Sequence, residues 1–132
     1  MIRAALIVLS VAAIAACTDR AIAPPGSPLS LQLALVSPQS DDGAVVITLH
    51  GPAVSDVQAV SGAYLAFTRA AGAEETRVIV VGDLLAGPVV TFTAGAGHRL
   101  GDYSATIEQV ATRADTLRGD LLGFGVTIVA KP

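Results

Sequence analysis

Few residues in this chain are of the types that do chemistry, and their spacing decides how each one reads. His98 and Asp102 stand four apart at the end of the stretch Gly95-Ala96-Gly97-His98-Arg99-Leu100-Gly101. A base and the carboxylate that orients it would take this form, but no activated Ser or Cys accompanies them, so we read His98 as a solvated loop histidine. Asp41-Asp42-Gly43 offers two carboxylates to Ca²⁺. Asp and Gly are also what a tight turn uses, and the turn is the preferred reading. Glu74-Glu75 reads most simply as a solvated turn. Tyr64, Phe67 and Tyr103 are the aromatics that would stack a sugar, yet with no Trp the platform is thin and core filling is expected.

Motifs with a chemical mechanism are missing from the sequence. There is no Gly-x-Ser-x-Gly elbow, no His-Glu-x-x-His, no phosphate-cradling Gly-x-x-x-x-Gly-Lys-Ser/Thr and no Asp-x-Asp-x-Asp-Gly calcium loop. One Cys excludes a disulfide framework, and with only His50 and His98 beside it no closed Cys/His zinc site can form. The 132 residues suffice for one domain. Lys and Arg number 8 against 11 Asp and Glu, a net charge of −3 with no basic run to track a phosphate backbone, so a nucleic-acid partner is not expected. We expect no catalytic residues, no metal and no cofactor.

The start of the chain is a different object from the rest. Residues 1–16 carry the single charge Arg3 and then an apolar run from Ala4 to Ala16 broken only by Ser10, the pattern of a secretory signal peptide. A spanning helix needs roughly 20 apolar residues to cross about 30 Å of hydrocarbon, and this run stops short at Thr18-Asp19-Arg20. Its last residues, Ile14-Ala15-Ala16-Cys17, resemble the bacterial lipoprotein box: a branched aliphatic residue, two small residues and the Cys. The resemblance implies cleavage before Cys17 and a diacylglyceryl thioether on its sulfur. Two or more acyl chains anchor firmly where one does not, so the lipid would be a durable membrane anchor. In such proteins an Asp directly after the Cys retains the chain at the inner membrane. Here Thr18 stands there and Asp19 comes one later, which leans towards the outer membrane or cell surface. Residues 17–28 then hold Pro24, Pro25, Gly26, Ser27 and Pro28, a tether from Thr18 onward reaching about 35 Å when extended.

From Leu29 to the end, period two takes over. Leu29, Leu31, Leu33 and Leu35 fall on one face of a strand, and a hairpin turn at Ser37 to Gly43 leads to Val45, Ile47 and Leu49 facing inward. A strand over Ala63 to Arg69 alternates Leu65 and Phe67 with Tyr64, Ala66 and Thr68. Val78-Ile79-Val80-Val81, four β-branched residues in a row, reads as the most buried strand, covered on both faces or lying centrally in a sandwich. Val90 and Phe92 share one face of the next strand, with Val89 and Thr91 on the other. Phe124, Val126 and Ile128 share one face of the last. Tyr103, Ile107, Val110, Ala114 and Leu117 fit an amphipathic helix as well as Tyr103 to Ala111 fits a strand. We favour the strand, since the neighbouring segments are β, and leave a helical turn open within Thr112 to Leu122. Seven to nine short strands at this cadence predict an all-β antiparallel sandwich over residues 29–132.

The segments Gly43 to Pro52, Val57 to Val60, Arg77 to Gly82 and Ala86 to Thr93 resemble the cohesin-type β-sandwich, in which an apolar-Thr-apolar strand, a Val-rich strand ending at Gly and a Gly-led strand carrying Phe follow in this order. The family's usual opening strand is not evident. The resemblance implies a jelly-roll-like or immunoglobulin-like sandwich used for protein docking or attachment, without catalysis. The expectation is therefore a lipid-anchored envelope lipoprotein that binds protein or serves structure. A carbohydrate-binding module would instead need a line of exposed aromatics, and a small envelope hydrolase a polar cleft with a nucleophile near His50 or His98.

Overall fold

The structure, a computed structural model, describes residues 27–132. Eight strands follow in order: β1 (Leu29–Val36), β2 (Asp42–His50), β3 (Ser55–Ala59), β4 (Tyr64–Gly72), β5 (Glu75–Leu84), β6 (Gly87–Ala94), β7 (Ser104–Thr112) and β8 (Gly125–Ala130). They form two four-stranded sheets, ordered β3-β6-β1-β8 and β4-β5-β2-β7, antiparallel throughout. The expected all-β sandwich is what the chain adopts. The signal segment, Cys17 and most of the tether lie outside the described residues.

Alternation explains how the two sheets meet. Leu31, Leu33 and Leu35 of β1 are buried against Val45, Ile47 and Leu49 of β2, Val78, Val80 and Leu84 of β5, and Val90 and Phe92 of β6. Phe124, Val126 and Ile128 pack at the margin of this core. Each of these side chains removes apolar surface from water at roughly 25 cal/mol per Å². β7 spans Ser104–Thr112, so the strand reading of that stretch holds, and no helix occurs within Thr112 to Leu122. A bridge between Ala111 and Leu117 turns that segment back on itself instead.

Several expectations need correction. β1 and β2 lie in different sheets, so Ser37 to Gly43 is a crossing between layers and not a hairpin. The one connection joining neighbours in the same sheet is β4–β5. β5 is central in its sheet but only one of its faces is covered: Val78 and Val80 are fully buried, while Ile79 and Val81 are 37% and 38% exposed. β2, paired on both sides, is the better-buried strand. In β4, Tyr64 and Ala66 pack on the core, and Leu65 and Phe67, 61% and 56% exposed, point outward. Val89 joins Val90 in the core because the β1–β6 register shifts between Leu33 and Ala34, a bulge that turns two successive residues inward.

Candidate interaction surface

Tyr103 shows what the aromatics do. Its ring meets Phe92 edge-on at 5.6 Å between centroids, and its hydroxyl donates to the Pro52 carbonyl at 2.6 Å. Burial raises its pKa above the ordinary value. Gly51, at φ +145°, leaves the space for that ring, since a Cβ there would lie 2.2 Å from Tyr103 Cδ1. Tyr64 is half-buried and Phe124 lies beside the core, so Phe67 is the exception to core filling. No line of exposed aromatics exists on either sheet face.

The two histidines sit at one end of the sandwich. His50 Nδ1 lies 3.4 Å from Glu75 Oε1, and His98 Nδ1 lies 3.7 Å from Asp102 Oδ2. Asp102 also accepts from the Arg99 backbone N–H at 2.8 Å, closing the short 3-10 turn Leu100–Asp102. His50, Gly51, Gly72, Ala73, Glu74, Glu75 and Asp102 line an open depression of about 710 Å³. None of these is a Ser, Thr or Cys, so the depression supplies a base without a nucleophile. Among the described residues no three His, Cys, Asp or Glu side chains gather to hold a metal, and no helix is long and apolar enough to cross a membrane.

Asp41-Asp42-Gly43 is not the tight hairpin turn expected of it. The register shift between Asp42 and Ala44 at the start of β2 turns Asp42 into the interior, where it is fully buried. Its Oδ1 accepts from Arg118 Nε at 3.0 Å and Nη2 at 2.8 Å, and its Oδ2 accepts from the Ser37 hydroxyl at 2.5 Å. Asp41 takes a further bond from Arg118 Nη2 at 2.5 Å, and this bond lowers its pKa below the ordinary carboxylate value. The same bonds from Asp41 and Asp42 raise the Arg118 pKa. Arg113 bridges Asp83 at 2.6 Å and donates to the Ser40 carbonyl. The cluster pins the segment after β7 to the β1–β2 crossing, and every cation in it already has its acid.

The outer face of the β4-β5-β2-β7 sheet differs from all of these. Register places three rows across its four strands: Leu65, Val81, Ala44 and Ala111; Phe67, Ile79, Val46 and Gln109; Arg69, Arg77, Thr48 and Thr106. Two rows are nearly all apolar and the third begins with two adjacent arginines. Phe67, Arg69, Arg77, Ile79, Val46 and Gln109, with Thr68, enclose a depression of about 340 Å³. The outer face of the other sheet presents Ser30, Gln32 and Ala34 of β1 beside Thr91, Thr93 and Thr127, with Val36 and Val129 exposed among them and no aromatic residue or arginine pair. Sequence reasoning missed the apolar face because it expected Phe67, with Tyr64 and Tyr103, to fill the core and assigned no direction to Leu65. Compared with known protein families, with curated proteins and with solved structures, the chain finds no match.

Proposed function

We propose that this chain is a non-catalytic binding module of the bacterial cell envelope, held to the membrane by lipid on Cys17 and docking a protein through the outer face of the β4-β5-β2-β7 sheet. The observation that carries the docking half is the exposure of Leu65, Phe67, Ile79 and Val81 together on one sheet face. Contiguous apolar surface of this kind is what protein interfaces bury, and scattered single exposures do not produce rows in register. The anchoring half rests on Ile14-Ala15-Ala16-Cys17 and the Pro-rich tether, whose length lets the domain stand clear of the headgroups.

The resemblance to cohesin-type sandwiches agrees with this reading, since eight strands that change sheet at six of seven connections suit a jelly-roll-like layout. A carbohydrate-binding role is disfavoured by the lone exposed aromatic, and a hydrolase by the missing nucleophile in the His50 depression. The test is photo-cross-linking in cells, with benzoylphenylalanine in place of Phe67 or of Gln32. Protein adducts from Phe67 and few from Gln32 support the reading. Equal adducts from both faces, or none from Phe67, contradict it.

A further inference from the structure

We infer that the Arg69–Arg77 end of this face receives a carboxylate, so that the docking partner is a protein segment carrying Asp or Glu next to an apolar side chain. The inference rests on the binding-surface reading above and adds the partner's chemistry. Arg69 and Arg77 are directly opposite on adjacent strands, where like charges destabilise a sheet unless an anion lies between or over them. Neither arginine has an ion pair among the described residues, whereas Arg113 and Arg118 each have theirs. The neighbouring acids are engaged elsewhere: Glu75 faces His50, and Glu108 accepts from the Thr106 hydroxyl at 3.2 Å.

Arg77 adds a second observation. Its Nε is buried and has no hydrogen-bond partner, and the same residue lines the 340 Å³ depression with the rest of its side chain. A buried donor of this kind costs free energy until an acceptor arrives, and for a guanidinium the strongest acceptor is a carboxylate. Beside the arginines, Thr68 and Gln109, the depression is lined by Phe67, Ile79 and Val46, so an anion that also covers this wall comes attached to something apolar. A protein strand or loop with Glu beside Leu or Phe meets both demands.

Other occupants fit less well. A second copy of this face would bring another arginine pair in its three rows, and the acids that flank those rows, Glu75, Asp83 and Glu108, already face His50, Arg113 and Thr106. An anionic bilayer would meet a domain that carries ten Asp and Glu against six Lys and Arg beyond Gly26. A protein carboxylate needs only the local positive end, and its specificity comes from a site that rejects the uncharged analogue.

Fluorescence anisotropy tests this on the full chain in neutral detergent micelles, with empty micelles as the blank. The probes are a labelled, amidated hexapeptide alternating Phe or Leu with Glu, and the same peptide with Gln for Glu. The expected result is binding of the Glu peptide at least about tenfold tighter than the Gln peptide. Arg77→Gln should remove that difference, Arg77→Lys should restore part of it, and Phe67→Ser should weaken both peptides. Gln32→Ala on the opposite sheet should change nothing. Unfolding midpoints of the variants separate lost binding from lost fold, and Arg69→Gln provides a second test should Arg77→Gln fail to fold. Equal binding of the two peptides, still dependent on Phe67, would overturn the acid preference and leave the surface reading standing. Binding of neither peptide, or a mass doubling of the chain through this face, would also overturn the inference, while cross-linking from Phe67 decides the surface reading independently.

Discussion

Asp42 is fully buried, and its carboxylate is held by the guanidinium of Arg118, 76 positions further along the chain. The pair joins the start of β2 to the segment after β7, two parts of the chain that no local pattern connects. Arg118 also covers the Phe124 ring at 5.5 Å, so one side chain ties an ion pair to the edge of the core. Arg118→Met should therefore strand a buried carboxylate and lower the thermal midpoint by ~10 °C or more. Arg113→Met, which breaks a bridge between two half-exposed groups, should change stability by no more than about 1 kcal/mol. Pairing Arg118→Met with Asp42→Leu should recover part of the loss, because no unpaired charge then remains in the interior.

Acid titration follows from the same cluster. The pKa of Asp41 is lowered on folding, chiefly by its hydrogen bond from Arg118, so its contribution is complete above the ordinary value of 3.8 and is lost as pH falls below that value through the folded one. Urea midpoints of the parent should thus fall below about pH 4, and the Asp41→Asn variant should lose less over the same interval. A parent and variant that decline in parallel would mean that this bond does not form in solution.

The two faces of β5 should respond differently to charge. Val80→Asp buries an unpaired carboxylate, at a cost of several kcal/mol against a typical total stability of about 5–15, and should unfold the domain. Ile79→Asp places the same group on the open face and should cost no more than ~1 kcal/mol. Guanidinium denaturation of both variants checks the difference.

How far the sequence reaches is visible in this strand. Alternation says which residues share a face: it grouped the leucines of β1, set Val90 with Phe92 in β6, and turned Val45, Ile47 and Leu49 of β2 inward, and all of these but Leu29 are core. It does not say which face meets the other sheet, so four β-branched residues in β5 read as buried twice over and Phe67 was expected in the core. Two bulges mattered as well: the shift near Gly43 hides Asp42 in the interior, and the shift near Val89 adds a core residue. A turn-forming sequence such as Ser37 to Gly43 specifies a reversal and not whether the chain returns to the same sheet. The arginine row is a matter of register between β4 and β5, and no spacing along the chain announces it.

Gly51 should tolerate no side chain. Gly51→Ala would drive a methyl group into the buried Tyr103 ring and hold a positive φ that Ala adopts at a cost, together about 2–4 kcal/mol. Calorimetry should show this loss, and Gly97→Ala, also at positive φ but facing open space, should cost only the backbone part.

Anchoring has its own test at Cys17. In the parent a fatty-acid analogue should label the chain and the chain should sediment with membranes. Cys17→Ser should lose the label and the lipid anchor. Label and membrane association retained at the level of the parent would reject the lipoprotein assignment.

The central claim is that a protein covers the outer face of the β4-β5-β2-β7 sheet in the envelope, and thiol protection measures it most directly. Cys17 is the sole cysteine of the chain, and as the proposed diacylglyceryl thioether it would not react with a maleimide, so one introduced thiol would report alone. Ile79→Cys should react slowly with a maleimide in intact envelopes and quickly in the purified chain, whereas Thr127→Cys on the opposite sheet should react at similar rates in both. Equal reactivity of the Ile79→Cys thiol in the two settings would mean that this face is bare in the envelope, and the account would be contradicted.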